Sequence, residues 1–408
     1  MKQQIRAFIG GLALALVLAA TMVNASPQWA VTTSSTGVYL MNYDSPGTPT
    51  PATGTLPLGG GFGGVAVWGD YVFVAGGAGT LYMGRIDTTG LIPKINWMDN
   101  AVTLSTSAGD VAEPTTVAVD GTGGVYVIND PQSTTHSSFA YLPSSGETWA
   151  SAGLNVFTIV DSHGDPSAYF SDVATSGNGT QAIIAHTDSR DGDLHYADQS
   201  WVTAITSAGV SNTNLPDEYG YKPRGIAMGT NGLSYMVNHL TDTGYGPVDQ
   251  GSISVISSSS LASVVTAAIG TGTFQPTDVS FFTTAGVNYL GIVGTTAGEN
   301  QPGQAWLVTL DANGLPLMDT VVSKPLGNSN AFCSVSPDGS VFWVTNPGTG
   351  VVTALNTQNW TEGVTWSVPG QPQYIAAFTP SVPEPSSLAV LLTGSIGLIG
   401  TLRRRRRR

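Results

Sequence analysis

Cysteine is almost missing from this chain: Cys333 is the only one in 408 residues. A single thiol cannot close an internal disulfide, so stability must come from burial. Its setting, Phe332-Cys333-Ser334-Val335, reads as a buried strand and gives the thiol a packing role. Basic residues are nearly as scarce once the two ends are set aside. Between Ser26 and Ser381 stand 26 acidic residues and six basic ones, Arg85, Lys94, Arg190, Lys222, Arg224 and Lys324. That body carries a net charge near −20, against −13 for the whole chain. Such a surface repels nucleic acid and anionic lipid, which excludes a nucleic-acid-binding role. The chain has no His-Glu-x-x-His, no Cys-x-x-Cys and no Gly-x-Ser-x-Gly, so the common zinc sites and the nucleophile elbow are excluded. No long stretch between the ends shows 3.6-residue periodicity, which argues against a helical body.

What is present begins with two apolar end segments. Lys2 and Arg6 precede an apolar run from Ala7 to Ala20 and the small residues Val23-Asn24-Ala25. This is the order of a secretory signal peptide over residues 1–25, a signal helix cut after Ala25 by signal peptidase; a retained N-terminal anchor is the alternative. At the other end, residues 381–408 hold Val382-Pro383-Glu384-Pro385, an uncharged run from Leu388 to Leu402, and the arginines Arg403, Arg404, Arg405, Arg406, Arg407 and Arg408. The prolines make a stiff, extended spacer. A helix of 15 residues spans roughly 22 Å, short of a bilayer core of about 30 Å unless flanking groups snorkel. The arginines belong on the cytoplasmic side.

This order of Pro-Glu-Pro, short transmembrane helix and arginine cluster resembles the PEP-CTERM sorting tail, which an exosortase handles in Gram-negative bacteria that make exopolysaccharide. An ordinary C-terminal membrane anchor is the alternative. The resemblance implies an exported protein, held transiently in the inner membrane and then placed in the cell envelope or extracellular matrix, as in biofilms. It covers under a tenth of the chain and concerns address, not activity.

Residues 26–380 read as one all-β domain. A short apolar strand, a turn and a second strand rich in Val, Tyr, Phe and Ile recur along it. Strand starts at Val65, Val117, Val173, Ile226, Val279, Cys333 and Ile375 are separated by 52, 56, 53, 53, 54 and 42 residues. Seven starts at that period predict a single seven-bladed β-propeller. The last unit, near Ile375 to Phe378, has only an inner strand, whereas Trp29 to Thr32 and Gly37 to Leu40 look like outer strands without one. Pairing across the chain ends would close the ring and remove its open edge. Ser45 to Pro57 is read as a linker between blades, and Thr379 to Ser387 as a stalk. The segment Ser336-Pro337-Asp338-Gly339, followed by Val341 to Asn346, resembles the repeat of YVTN-type (WD40-like) propellers, with looser copies at Val119 to Asn129 and Met228 to Asn238. Those propellers include lactonases, lyases and many non-catalytic binders, so the resemblance implies a fold and leaves activity open.

Polar residues at two sets of positions are candidates for a ligand site on a propeller face. Asn129, His186, Asn238 and Asn346 end the second strands; Asp172, Arg224 and Asp278 stand just before inner strands, where they would border a central channel. The same residue types are ordinary turn formers, which is the competing account. Asp188, Asp191, Asp193 and Asp198 offer oxygen ligands for calcium, but Arg190 stands where an EF-hand needs a ligand, and a solvated acidic loop fits as well. No other cofactor is implied and no catalytic residue is assigned. Gly59, Gly61 and Gly64 match a phosphate-loop pattern yet precede a strand, so they read as a turn. Three functions follow: a non-catalytic module for polysaccharide or envelope proteins, a purely structural matrix component, or a metal-dependent hydrolase or lyase of the lactonase kind using the His186, Asn238 and Asp172 region.

Overall fold

The structure, a computed structural model, describes residues 28–380 except 45, 52–61, 78, 88–92, 100, 107–108, 111–113, 130–137, 159–168, 180, 188–199, 207–208, 214–220, 241–250, 270–273, 297–301 and 330–331. The signal segment, the sorting tail and the Asp188 to Asp198 cluster lie outside the described residues.

The described chain is built from strands. It opens with β1 (Trp29–Ser34), β2 (Gly37–Asn42) and β3 (Thr50–Pro51). Blade 1 is β4 (Phe62–Trp68), β5 (Tyr71–Gly76), β6 (Thr80–Asp87) and β7 (Lys94–Trp97), with β8 (Val102–Thr103) also on β6. A two-stranded ribbon follows, β9 (Ser105–Thr106) and β10 (Gly109–Asp110). Blade 2 is β11 (Pro114–Val119), β12 (Val125–Asn129), β13 (Ser138–Leu142) and β14 (Asn155–Thr158). Blade 3 is β15 (Tyr169–Thr175), β16 (Gln181–Thr187), β17 (Ser200–Thr206) and β18 (Gly209–Thr213). Blade 4 is β19 (Tyr221–Met228), β20 (Leu233–Leu240), β21 (Ser252–Ser257) and β22 (Ser263–Ala268). Blade 5 is β23 (Phe274–Thr284), β24 (Val287–Thr296), β25 (Pro302–Thr309) and β26 (Val322–Asn328). Blade 6 is β27 (Cys333–Val335), β28 (Val341–Asn346), β29 (Val351–Asn356) and β30 (Thr361–Ser367). The last strand, β31 (Pro372–Phe378), joins β1, β2 and β3 as blade 7.

The body is thus a single seven-bladed propeller. Its closure pairs β31 antiparallel with β1, with Trp29 opposite Phe378 and Val31 opposite Ala376. The Ser45 to Pro57 stretch, expected as a linker, contributes β3 as the outer strand of blade 7. No described helix is long and apolar enough to cross a membrane.

The core lies between blades. Phe73, Leu81 and Leu104 pack with Val125, Val127 and Trp149, joining blades 1 and 2. Trp343 and Trp366 pack with Ala30, Met41 and Ile375, joining blades 6 and 7. Because neighbouring blades cover both faces of a second strand, β5 and β28 are buried along their whole length, and their sequences are nearly unbroken apolar runs. Inner strands converge on the axis and therefore carry small residues at one level: Ala66, Ala118, Ala174, Ala227, Ser280, Ser334 and Ala376. The turn after each inner strand of blades 1 to 6 holds one glycine with positive φ, at 69, 123, 179, 232, 286 and 339. At Gly339 (φ 73°) the Ser336 to Ser340 turn is tied by Asp338, whose Oδ1 accepts from the Ser336 hydroxyl and the Ser340 amide. This is the turn chemistry expected of the YVTN-like segment.

Candidate functional site

All the inner strands but β27 share a local irregularity. In β11, β15, β19 and β23 the register shifts between Pro114 and Thr116, Phe170 and Asp172, Pro223 and Gly225, and Pro276 and Asp278. Each shift is a bulge: one extra residue on the inner strand, reached after Pro or Phe. Proline suits the place, since an innermost strand is a sheet edge and proline donates no ladder bond. The residue after the bulge comes next to the channel, and in blades 3 and 5 it is an aspartate.

Asp172 and Asp278 lie inside β15 and β23, not ahead of them as the sequence spacing suggests. Both border a chamber of about 140 Å³ on the axis, together with Thr116, Phe332, Cys333 and Tyr374. Phe332 and Tyr374 stack at 4.0 Å between ring centroids. Below it, sharing Val65, Val279 and Ile375, opens an uncharged vestibule of about 350 Å³ bordered by all seven inner strands.

The two carboxylates do the same job two blades apart. Asp172 accepts from the amide of Val173 at 2.8 Å and, across the blade boundary, from that of Ile226 at 2.9 Å. Asp278 accepts from the amide of Val279 at 2.7 Å and from that of Cys333 in blade 6 at 2.8 Å. An innermost strand is a sheet edge, so its channel-side amides need acceptors from outside the ladder. Asp172 supplies one to blade 4 and Asp278 supplies one to blade 6. Gly225 lets them converge: a Cβ there would stand 2.7 Å from the Asp278 Cα and from its Oδ1.

Burial pushes the Asp278 carboxyl up to about 7, against the pull of the two amides. Burial and then the Asp278 charge hold Asp172 well above the usual carboxylate range. The lining of the chamber includes no cationic side chain to offset that rise. Burial, reinforced by Asp278, also raises the Cys333 thiol. Its sulfur faces the Ser280 hydroxyl at 3.6 Å. That is a thiol held in the protonated, unreactive form.

The other predicted residues go elsewhere. Arg224 is the extra residue of the β19 bulge and is exposed. His186 is buried inside blade 3, with its Nε2 2.8 Å from the Thr203 hydroxyl. Asn238 is buried in blade 4 and donates to the Ser252 and Ser254 hydroxyls at 3.1 and 3.0 Å. Asn346 donates to the Leu326 carbonyl of blade 5 at 2.8 Å. Asn129 ends β12 opposite Pro114. Asn129 and Asn346 end their second strands, whereas His186 and Asn238 lie inside β16 and β20, and the three side chains described point into the blades. Among the described residues no three His, Cys, Asp or Glu side chains form a metal-holding group. Sequence reasoning passed over Thr116, Phe332 and Tyr374. The signal was available, because each directly precedes a repeating strand start at Val117, Cys333 or Ile375.

No protein-family model matches the chain, and no curated relative matches it. Solved structures do match. The body resembles 6-phosphogluconolactonase-like propellers. A periplasmic gluconolactonase of Pseudomonas aeruginosa superposes with a TM-score of 0.61 at 16% identity, over 88% of this chain and 100% of that one. A 6-phosphogluconolactonase candidate of Bacteroides uniformis gives 0.61 at 15% identity, over 86% and 100%. Hydrazine synthase of Kuenenia stuttgartiensis gives 0.54 at 13% identity, over 76% and 88%. At such identities the likeness to lactonase-like propellers concerns the fold, and the third match shows the same architecture in a different chemistry.

Proposed function

We propose that this chain is an exported propeller acting as a non-catalytic binding or structural module of the cell envelope or extracellular matrix, with polysaccharide or another envelope protein as its ligand. The observation that carries this reading is the use made of the channel carboxylates: Asp172 and Asp278 engage backbone amides on two sides each, which is the work of an architectural group. The acidic body suits a soluble extracytoplasmic life. The sorting order of Pro383-Glu384-Pro385, apolar run and Arg403 to Arg408 supports exosortase processing after signal-peptide removal at Ala25. Intact-mass analysis of protein from envelope and medium tests the address. A species that begins at Ser26 and lacks Arg408 is expected. A chain keeping all six arginines in both fractions would remove the sorting tail from the proposal.

A second reading, a lactone hydrolase, is favoured by the likeness to a periplasmic gluconolactonase. It predicts acid release from gluconolactone above the spontaneous rate, lost on Asp278→Asn in a protein that still folds. Equal rates with and without protein would eliminate it for that substrate.

A further inference from the structure

The outer strand of each blade ends its sheet and is a template for pairing with another chain unless something blunts it. Most are blunted here. β7 carries Lys94, β26 carries Lys324 and Pro325, β30 has Glu362 in its sequence, and β3 is two residues long with Pro51. β22, Ser263-Val264-Val265-Thr266-Ala267-Ala268, has neither charge nor proline. No charged residue or histidine occurs anywhere from Gly251 to Thr277. The neighbouring outer strand β18, Gly209 to Thr213, is also uncharged.

Exposed aliphatic side chains collect on the same side of the ring. The most exposed large apolar residue described is Val264 of β22, at 49%, followed by Val322 of β26 in blade 5, at 48%. Val210 of β18 in blade 3 and Val287 of β24 in blade 5 are exposed as well. Val264 is thrust outward by a register shift between β21 and β22, leaving Val265 to Ala268 as the straight part of the edge.

We propose that the rim of blades 3 to 5, centred on β22, is a self-association surface that joins two copies of this chain about a two-fold axis, with the β22 edges antiparallel. Electrostatics selects the occupant. Two bodies of about −20 repel each other over most approaches, and the uncharged β22 edge is a place where that repulsion is weak. A second copy also brings the same edge, and an antiparallel pair of identical strands satisfies the isologous rule that residue i meets j and j meets i. The pairing is short, so the dimer is weak and concentration-dependent.

Sedimentation equilibrium of the purified chain, from about 1 to 200 µM, tests the proposal at low and high salt. Reversible dimers are expected, and salt should strengthen them by screening the acidic bodies. Val264→Lys, which puts a charge on the edge, should lower the association constant tenfold or more. Met98→Lys, at another exposed apolar position beyond β7 of blade 1, should leave it unchanged. Circular dichroism verifies that both variants fold. A monomer at every concentration would overturn the proposal, as would dimers unaffected by Val264→Lys or weakened equally by Met98→Lys.

Discussion

The Asp278 carboxylate lies 2.8 Å from the amide of Cys333, so a residue of blade 5 terminates the inner edge of blade 6. Its raised affinity for a proton has a sign that can be measured. An ordinary aspartate ionises near 3.8, and Asp278 in the fold near 7. Between those values the folded protein binds more protons than the unfolded chain, so stability falls as pH rises through that window and is lowest above it. Melting temperatures from pH 5 to 8 should decline in the wild type. Asp278→Asn should flatten the decline, whatever its effect on the absolute value. An unchanged slope would mean that Asp278 does not carry the proton.

Gly225 is predicted to tolerate no side chain. An added methyl would stand 2.7 Å from the backbone Cα of Asp278 and 3.0 Å from the Val279 amide, and neither can move without shifting an inner strand. Gly225→Ala should cost about 2–4 kcal/mol, in the range of core overpacking and lost buried bonds. Gly47 has nothing within 4 Å, so Gly47→Ala should be close to neutral. Urea midpoints of the two variants make the comparison.

Trp343 is fully buried and stacks on Trp366 at 5.0 Å in the layer between blades 6 and 7. Trp343→Ala should destabilise by about 3–5 kcal/mol. The effect should appear as a lower midpoint in chemical denaturation with an unchanged slope.

Cys333 should be silent toward thiol reagents in the native protein. It is buried in the chamber wall, and its thiol is pushed up by burial and by Asp278. A disulfide reagent at pH 8 should label nothing until denaturant is added, and then one equivalent. Prompt labelling of the folded chain would contradict the described chamber.

Removing Ser26 to Asp44 should abolish cooperative unfolding. β1 and β2 would be lost, β31 would stand alone as blade 7, and the layer holding Ala30, Val31, Leu40 and Met41 would open. Dye binding and loss of near-ultraviolet dichroism would report it.

How far the fold could be read is clearest from the strand starts. Val65, Val117, Val173, Ile226, Val279 and Ile375 each occupy the same place after the bulge, and an interblade layer selects β-branched residues there. The pairing of Trp29 to Thr32 with Ile375 to Phe378 was legible from incomplete units at both ends. The chamber was less so. A bulge moves the register by one residue, which puts Asp172 and Asp278 on the axis and turns Arg224 out. Nothing local in Pro223-Arg224-Gly225 announces that shift. The inward turn of His186 and Asn238 was hidden for another reason. Their partners Thr203, Ser252 and Ser254 belong to third strands 14 to 17 residues further on, and those contacts exist only after the blade has formed.

The antiparallel join of β1 to β31 also has a mechanical meaning. Trp29 is opposite Phe378, so the two free ends of the join leave from the same place, and Gln28 still touches Thr379 there. Tension applied between those ends would load the ladder bonds singly, from Phe378 inward, as a zipper opens. A propeller fastened in this way yields bond by bond to being pulled by both ends.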